Sequence, residues 1–205
     1  MKTLLIATHN PGKLAELKQG LKPLEQQGIK IVSLSGLNIT QQPEETGLTF
    51  EANALLKAKF YAGLTQLPIV ADDGGLGIDI LAGEPGVKSR LWLNREASDE
   101  ELIAYTLKRL IGFPKGKRTG SFTTCVCFFD PQTNTTFFET EAIYGYFVDK
   151  PSSRRIIGYP FRSLFVVKGL NKYYDELTNK EHDRINHRLK AARRLVKKIE
   201  KYLLQ

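Results

Sequence analysis

The stretch Leu4-Leu5-Ile6-Ala7-Thr8-His9-Asn10-Pro11-Gly12-Lys13-Leu14 decides how the chain begins to fold. Leu4 to Ala7 form an apolar run of strand length. Thr8 to Lys13 is a polar turn carrying Pro11 and Gly12. Leu14, Leu17, Leu21 and Leu24 then recur at helical spacing. The order is strand, polar turn, helix, which is the opening unit of an α/β fold.

Working outward, Ile29 to Leu34 is a second strand, and a loop follows from Ser35 to Leu48. Thr49 is placed to cap a helix running to about Leu64. Pro68 to Ala71 is a third strand whose apolar residues do not alternate, as in a sheet covered on both faces. Five glycines between Gly74 and Gly86 predict a loop with close backbone approaches. Ser98 and Glu101 form a capping box for a helix from about Asp99 to Ile111.

Phe122 to Phe129 and Thr135 to Val148 are rich in β-branched and aromatic residues, and Asp130 to Asn134 joins them as a hairpin. Lys150 to Arg162 is a basic loop, and Leu164 to Val167 a last short strand. One C-terminal helix is expected from about Lys180, with Ile185, Leu189, Ala192, Val196, Ile199 and Leu203 on one face. Helices alternating with strands, then a late hairpin, predict a single α/β domain over residues 1–205 with a mixed sheet.

Composition narrows the classes. At 205 residues and 41% apolar, the chain has enough material for a real core, and 25% charged residues are ordinary for a globular protein. No segment reaches the roughly 18–20 apolar residues that span a bilayer. The run after Met1-Lys2 is too short for a signal peptide. A cytoplasmic protein without a membrane partner is expected. Cys125 and Cys127 alternate in one strand-like run and are expected to be buried, reduced thiols. Net charge is +8, and the stretch from Lys180 to Lys201 carries nine Lys and Arg against three Asp and Glu. Such a tail suits nucleic acid, a solvated helix face or a collar around polyphosphate. No nucleic-acid-binding signature accompanies it, so nucleic acid is not the expected partner.

The chemistry-bearing residues gather at strand ends. Thr8, Asn10 and Lys13 lie between a strand and a helix N-terminus, where open α/β sheets bind ligands and where free N–H groups suit phosphate. The Gly-x-x-x-x-Gly-Lys spacing of a P-loop is absent, and the segment alone also reads as an ordinary polar turn. Asp72 and Asp73 end a buried strand, and adjacent acids there repel unless a cation joins them. Mg²⁺ is the usual solution, held by one or two carboxylates with phosphate oxygens and water. Turn-forming aspartates are the simpler alternative. Glu44 and Glu45 would extend the acidic set, or be merely solvated. Asn53 and Lys57 share one helix face, and His187 with Arg188 can donate to phosphate or a base edge. Together these form the equipment of metal-assisted phosphoryl chemistry rather than of a Ser/His/Asp or Cys/His hydrolase.

With these residues in place, the chain resembles the inosine/xanthosine triphosphate pyrophosphatases, which clean the nucleotide pool. Thr8-His9-Asn10-Pro11-Gly12-Lys13 resembles the family's Thr-x-Asn-x-x-Lys opening. Glu44 to Phe50 with Asn53-Ala54 and Lys57-Ala58 resembles its second block. Ala71-Asp72-Asp73-Gly74-Gly75-Leu76, followed by Leu81 to Val87, resembles its third, and Ile185-Asn186-His187-Arg188 its Ser-His-Arg ending.

The resemblance implies a long mixed sheet flanked by helices, with a central cleft between two lobes, and a homodimer. It implies hydrolysis of ITP, dITP or XTP to monophosphate and pyrophosphate with Mg²⁺. Glu45 and Asp73 match the family's metal and catalytic acids, with Asp72 beside them. Thr8, Asn10, Lys13 and Lys57 match its phosphate set, and His187 and Arg188 its nucleotide-binding pair.

The base side departs from the pattern. Where the family has Gly-Phe-Gly-Tyr-Asp-Pro, this chain has Gly158-Tyr159-Pro160-Phe161-Arg162-Ser163. Tyr159 remains available to stack on a base, and Arg162 reverses the family's charge. His182 stands where the family usually has Lys, Asn186 replaces Ser, and Gly74 replaces a Ser. Two other readings follow from the altered segment: a same-fold pyrophosphatase for modified pyrimidine triphosphates, or a non-catalytic nucleotide- or nucleic-acid-binding relative.

Overall fold

The computed structural model describes residues 2–203. Strands β1 (Thr3–Ala7), β2 (Lys30–Ser33), β3 (Ile69–Ile78), β4 (Pro85–Gly86), β5 (Thr119–Asp130), β6 (Thr135–Phe147), β7 (Phe165–Val167) and β8 (Lys172–Tyr173) hydrogen-bond in the order β2-β1-β3-β5-β6-β7-β8, with β4 on β3. β1 pairs parallel with β2 and β3, while β3–β4, β6–β7 and β7–β8 are antiparallel, so the sheet is mixed as expected. The helices are α1 (Pro11–Gln26), α2 (Phe50–Thr65), α3 (Asp99–Arg109), α4 (Asn179–Ile185) and α5 (His187–Leu203).

The chain divides into two compact units, residues 1–73, 124–141 and 187–205 in the first, and 74–123 and 142–186 in the second. In the first unit the strand period of two sorts the core. Leu4, Ile6 and Val70 pack with Leu17, Leu21 and Leu24 of α1 and with Ala192, Leu195 and Ile199 of α5. Leu5, Ala7, Ile69 and Ala71 face the other way, onto Ala54, Ala58, Tyr61 and Ala62 of α2. Both faces are covered, which is why these strands read as continuous apolar runs. α1 and α5 approach closely because position 20 is glycine: a Cβ there would meet Ala192 Cβ at 2.5 Å. Cys125 and Cys127 are buried free thiols, and burial pushes both thiols up.

The second unit has its own core, built from Leu76, Ile78, Leu102, Phe122, Phe147, Leu164, Phe165 and Tyr174 among others. α3 starts with the expected box: Ser98 Oγ accepts from Glu101 N at 3.2 Å and Glu101 Oε2 accepts from Ser98 N at 2.8 Å.

Two expectations need correction, and one short strand was not foreseen. The first part of the glycine-rich segment is strand and only residues 79–84 turn: β3 continues through Gly74, Gly75 and Gly77 to Ile78 and pairs with β4. β3 is closely approached here by β5, where a Cβ on Gly120 would lie 2.3 Å from the Gly77 carbonyl oxygen. The C-terminal helix is two helices, because Asn186 takes an extended ψ of 121° between α4 and α5. Ile185 therefore packs with the second unit's core, while Leu189 to Leu203 serve the first. The short strand β8 had no apolar alternation to announce it.

Candidate functional site

The turn after β1 is organised by Asn10. Its side-chain oxygen accepts from the backbone N–H groups of Gly12 and Lys13 at 2.9 and 3.0 Å, capping α1, and Thr8 Oγ1 accepts from Asn10 N at 3.2 Å. Pro11 occupies the first helical position, where its missing N–H costs nothing. This geometry directs Lys13 inward, and its Nζ lies 3.2 Å from Asp72 Oδ2.

Asp72 and Asp73 sit in mid-strand, 1% and 5% exposed. Adjacent strand residues point to opposite faces, so the two carboxylates do not form a pair. Asp72 continues the Val70 face, towards α1 and α5. There its Oδ2 meets Lys13 Nζ, Arg188 Nε at 2.8 Å and Thr124 Oγ1 at 3.4 Å. Its Oδ1 is buried and has no hydrogen-bond partner among the described residues. Asp73 continues the Ala71 face, towards α2. Its Oδ2 accepts from Asn53 Nδ2 at 3.1 Å, and its Oδ1 lies 3.4 Å from Lys57 Nζ. Lys57 Nζ also reaches Glu45 Oε1 at 3.0 Å. Asn53 ties this corner to the preceding loop by accepting from Gly47 N at 2.7 Å.

The charges set distinct proton affinities. Burial alone would raise Asp72, yet Arg188, Lys13 and Lys57 outweigh it and hold its carboxyl well below the usual range. Burial wins at Asp73, whose carboxyl is pushed up despite Lys57 and Lys13. Burial lowers Lys13, whereas at Lys57 the attraction of Asp73, Asp72 and Glu45 overcomes burial and raises the ammonium.

Arg188, expected near a base, is 3% exposed and engages Asp72 together with Glu16, whose Oε2 is 2.5 Å from Arg188 Nη1. Glu16 carried no motif signal; its one clue was a carboxylate beside Leu17 on the apolar face of α1. Thr124 was hidden among the strand residues of β5. His187 is buried at the first position of α5. Glu44 is exposed.

Tyr159, Arg162 and His182 belong to the second unit. Arg162 is 4% exposed, and its guanidinium carbon lies 3.6 Å from the Tyr159 ring centre and 4.5 Å from that of Tyr174. It stacks between two tyrosines. Burial pushes the nearby Asp175 up to about 6, against the pull of Arg162. Asn186 Nδ2 donates to His182 Nε2 at 2.9 Å and to Tyr174 Oη at 3.1 Å, which accounts for Asn186 here.

Among the described residues no three His, Cys, Asp or Glu side chains converge as a complete metal cage. Glu45 and Asp73 nevertheless share one ammonium, so their oxygens already converge on a single cation position. An all-oxygen pair fits Mg²⁺, which takes one or two carboxylates and completes its shell with phosphate and water. No helix among the described residues is long and apolar enough to cross a membrane.

A mixed-sheet α/β protein with cation-faced carboxylates beside a strand-to-helix turn is the class these features define. Residues 4–198 match the model of the Ham1 family, and the chain belongs to that family. It is 38% identical over 200 residues, 98% of each chain, to a Bacillus subtilis protein named dITP/XTP pyrophosphatase. It is 39% identical to an Exiguobacterium protein of the same name, covering 94% of each. Among solved structures, a HAM1 protein from Coxiella burnetii superposes with a TM-score of 0.85 at 30% identity, covering 98% of this chain and 100% of that one. A nucleoside-triphosphatase, dITP/XTP pyrophosphatase, from Mycobacterium abscessus gives a TM-score of 0.75 at 33% identity, covering 94% and 98%.

Proposed function

We propose that this protein hydrolyses non-standard purine nucleoside triphosphates, dITP, ITP and XTP, to the monophosphate and pyrophosphate. The observation that carries the reading is the pair Glu45 and Asp73 closing on one cation position, with Lys13 and the α1 N-terminus in the same unit. Curated relatives named dITP/XTP pyrophosphatase over nearly the whole chain support the substrate class.

The reaction is attack of water on the α-phosphorus. A new P–O bond forms, the bridging bond to the β-phosphate breaks, and its electron pair leaves on pyrophosphate. Asp73 takes the proton from the water, a role suited to a carboxylate whose proton affinity burial has raised. Lys13 and Lys57 offset charge on the phosphates. Glu45 and Asp73 are the residues that would hold Mg²⁺, which would supply Lewis-acid polarisation of phosphate oxygens there. Asn53 keeps the Asp73 carboxylate oriented.

Pyrophosphate release from dITP, ITP, XTP, GTP, ATP and modified pyrimidine triphosphates, with Mg²⁺ and with EDTA, tests this. Mg²⁺-dependent release from the first three above GTP and ATP is expected. Release from a pyrimidine instead would replace the substrate, and no release would leave a binding protein. Nucleic-acid binding through the basic C-terminal stretch is disfavoured by its pairing: Arg194 engages Glu139 and Glu141, and Lys198 engages Glu139. A homodimer in the cytoplasm is the expected setting, and light scattering of the purified protein tests the assembly.

A further inference from the structure

Residues 39–49 run without helix or strand into α2, and they carry Glu45. Three side chains of α2 at four-residue intervals, Asn53, Lys57 and Tyr61, grip this stretch along its length. Asn53 Oδ1 accepts from Gly47 N at 2.7 Å, and no side chain fits at position 47, where a Cβ would lie 2.9 Å from Ala52 Cβ. Lys57 Nζ holds Glu45 Oε1 at 3.0 Å. Tyr61, 2% exposed, donates its hydroxyl to the Gln41 carbonyl at 2.9 Å. The same carbonyl lies 3.1 Å from Nε2 of His9, in the turn that presents Thr8, Asn10 and Lys13. A carbonyl oxygen has lone pairs for both donors. The His9 and Tyr61 rings meet edge to face, with centres 6.3 Å apart.

We propose that Tyr61 and His9 are positioning residues that hold the Gln41 carbonyl and so keep Glu45 at the cation position it shares with Asp73. The inference deepens the function proposed above and rests on it. Asp73 is fixed by its place within β3. Glu45 lies in a stretch with neither helix nor strand, so side-chain anchors set how far its carboxylate strays. Gln41 is anchored upstream of it and Gly47 downstream, and the carboxylate hangs between two held points. The two donors to Gln41 come from different elements, the turn after β1 and α2. One carbonyl therefore ties the stretch to the elements that carry Lys13 and Lys57. Tyr61 and His9 act through Gln41 and not on the reacting atoms.

Two variants and their combination test this. Tyr61→Phe deletes the hydroxyl and keeps the ring, and His9→Phe deletes the second donor at an exposed position. The first readout needs neither metal nor nucleotide: cleavage by a glutamate-specific protease after Glu44 and Glu45, which reports how often the stretch opens. Each variant is expected to be cut there roughly twofold to tenfold faster, the range of one lost hydrogen bond. The double variant should be cut faster still, with cleavage after Glu139 in β6 unchanged. The second readout is the Mg²⁺ concentration that gives half-maximal pyrophosphate release. It is expected to rise in the same order, with kcat at saturating Mg²⁺ within about twofold of wild type, because excess ligand restores a depleted competent state. Unchanged cleavage after Glu44 and Glu45 overturns the anchoring. Faster cleavage with an unchanged Mg²⁺ requirement overturns the positioning role, as does a loss of kcat that added Mg²⁺ does not restore. A lower melting temperature with neither readout moved would make both side chains merely structural and overturn it too. If the wild-type protein releases no pyrophosphate from any nucleotide, the functional reading fails, while the proteolysis arm still decides whether Tyr61 and His9 hold the stretch.

Discussion

Arg188 Nε and Asp72 Oδ2 lie 2.8 Å apart, both side chains almost wholly buried, although 116 residues separate them in the chain. The pair fixes the first residue pairs of α5 against the middle of β3, and it leaves the protein with a buried guanidinium between two carboxylates. Breaking such a group by removing one member leaves uncompensated charge in the interior. Arg188→Ala, which takes the guanidinium from both Asp72 and Glu16, is therefore expected to lower unfolding free energy by about 3–5 kcal/mol. Urea denaturation at neutral pH measures it; a loss below about 1 kcal/mol would mean water reaches the two acids freely.

Asp73 is expected to matter to the reaction more than to the fold. Asp73→Asn keeps the size of the side chain beside Asn53 and Lys57 and removes the proton acceptor. kcat should fall by about 10² to 10⁴, the range for losing a general base, with an unchanged circular dichroism spectrum. Near-normal turnover would remove Asp73 from the chemistry.

Asp175 carries a pH signature of its own. Its carboxyl rises from the ordinary 3.8 to about 6, because burial disfavours the charged form more than Arg162 favours it. A raised carboxyl stabilises the fold fully below about pH 4, and the contribution disappears as pH climbs through 6. The effect is on the order of 2 to 3 kcal/mol. Denaturation midpoints of wild type and Asp175→Asn, compared from pH 4.5 to 7.5, should diverge, with the wild type losing ground as pH rises. A difference independent of pH would show that Asp175 does not titrate in this window.

The approach of α1 to α5 depends on Gly20. Ala at this position puts a methyl 2.5 Å from Ala192 Cβ, and neither backbone has a flexible side chain to move aside. Gly20→Ala is expected to cost about 1–3 kcal/mol through overpacking, despite alanine's better helix propensity. Ala192→Gly in the same chain should recover most of the loss, and thermal melting of the single and double variants reads it. Additive losses would argue that the clash is relieved some other way.

Local signals in this sequence proved sufficient for local structure. Thr49 and Ser98 announced two helix starts, the leucine spacing gave α1, and the unbroken apolar runs at Leu4–Ala7 and Ile69–Ala71 gave strands buried on both faces. The acids and cations of the site were likewise visible as residue types, although Asp72 and Asp73 lie within β3 rather than at its end. Three-dimensional partners were not. The glycines after Asp73 look like a loop because a strand interior seldom holds them, and only the pairing of β3 with its neighbours shows that they continue the strand.

The sequence by itself determined the α/β class, the family motifs and which carboxylates and lysines are available for polyphosphate chemistry, because periodicity, capping and residue type act over a few neighbours. The tertiary structure alone decided that Asp72 and Asp73 face opposite sides of β3, that Arg188 and Glu16 flank the first while Lys57 and Asn53 hold the second, and that Arg162 stacks between Tyr159 and Tyr174. Those pairings arise from which faces of distant elements pack together. Charge and burial reach their final values only once that packing has excluded water.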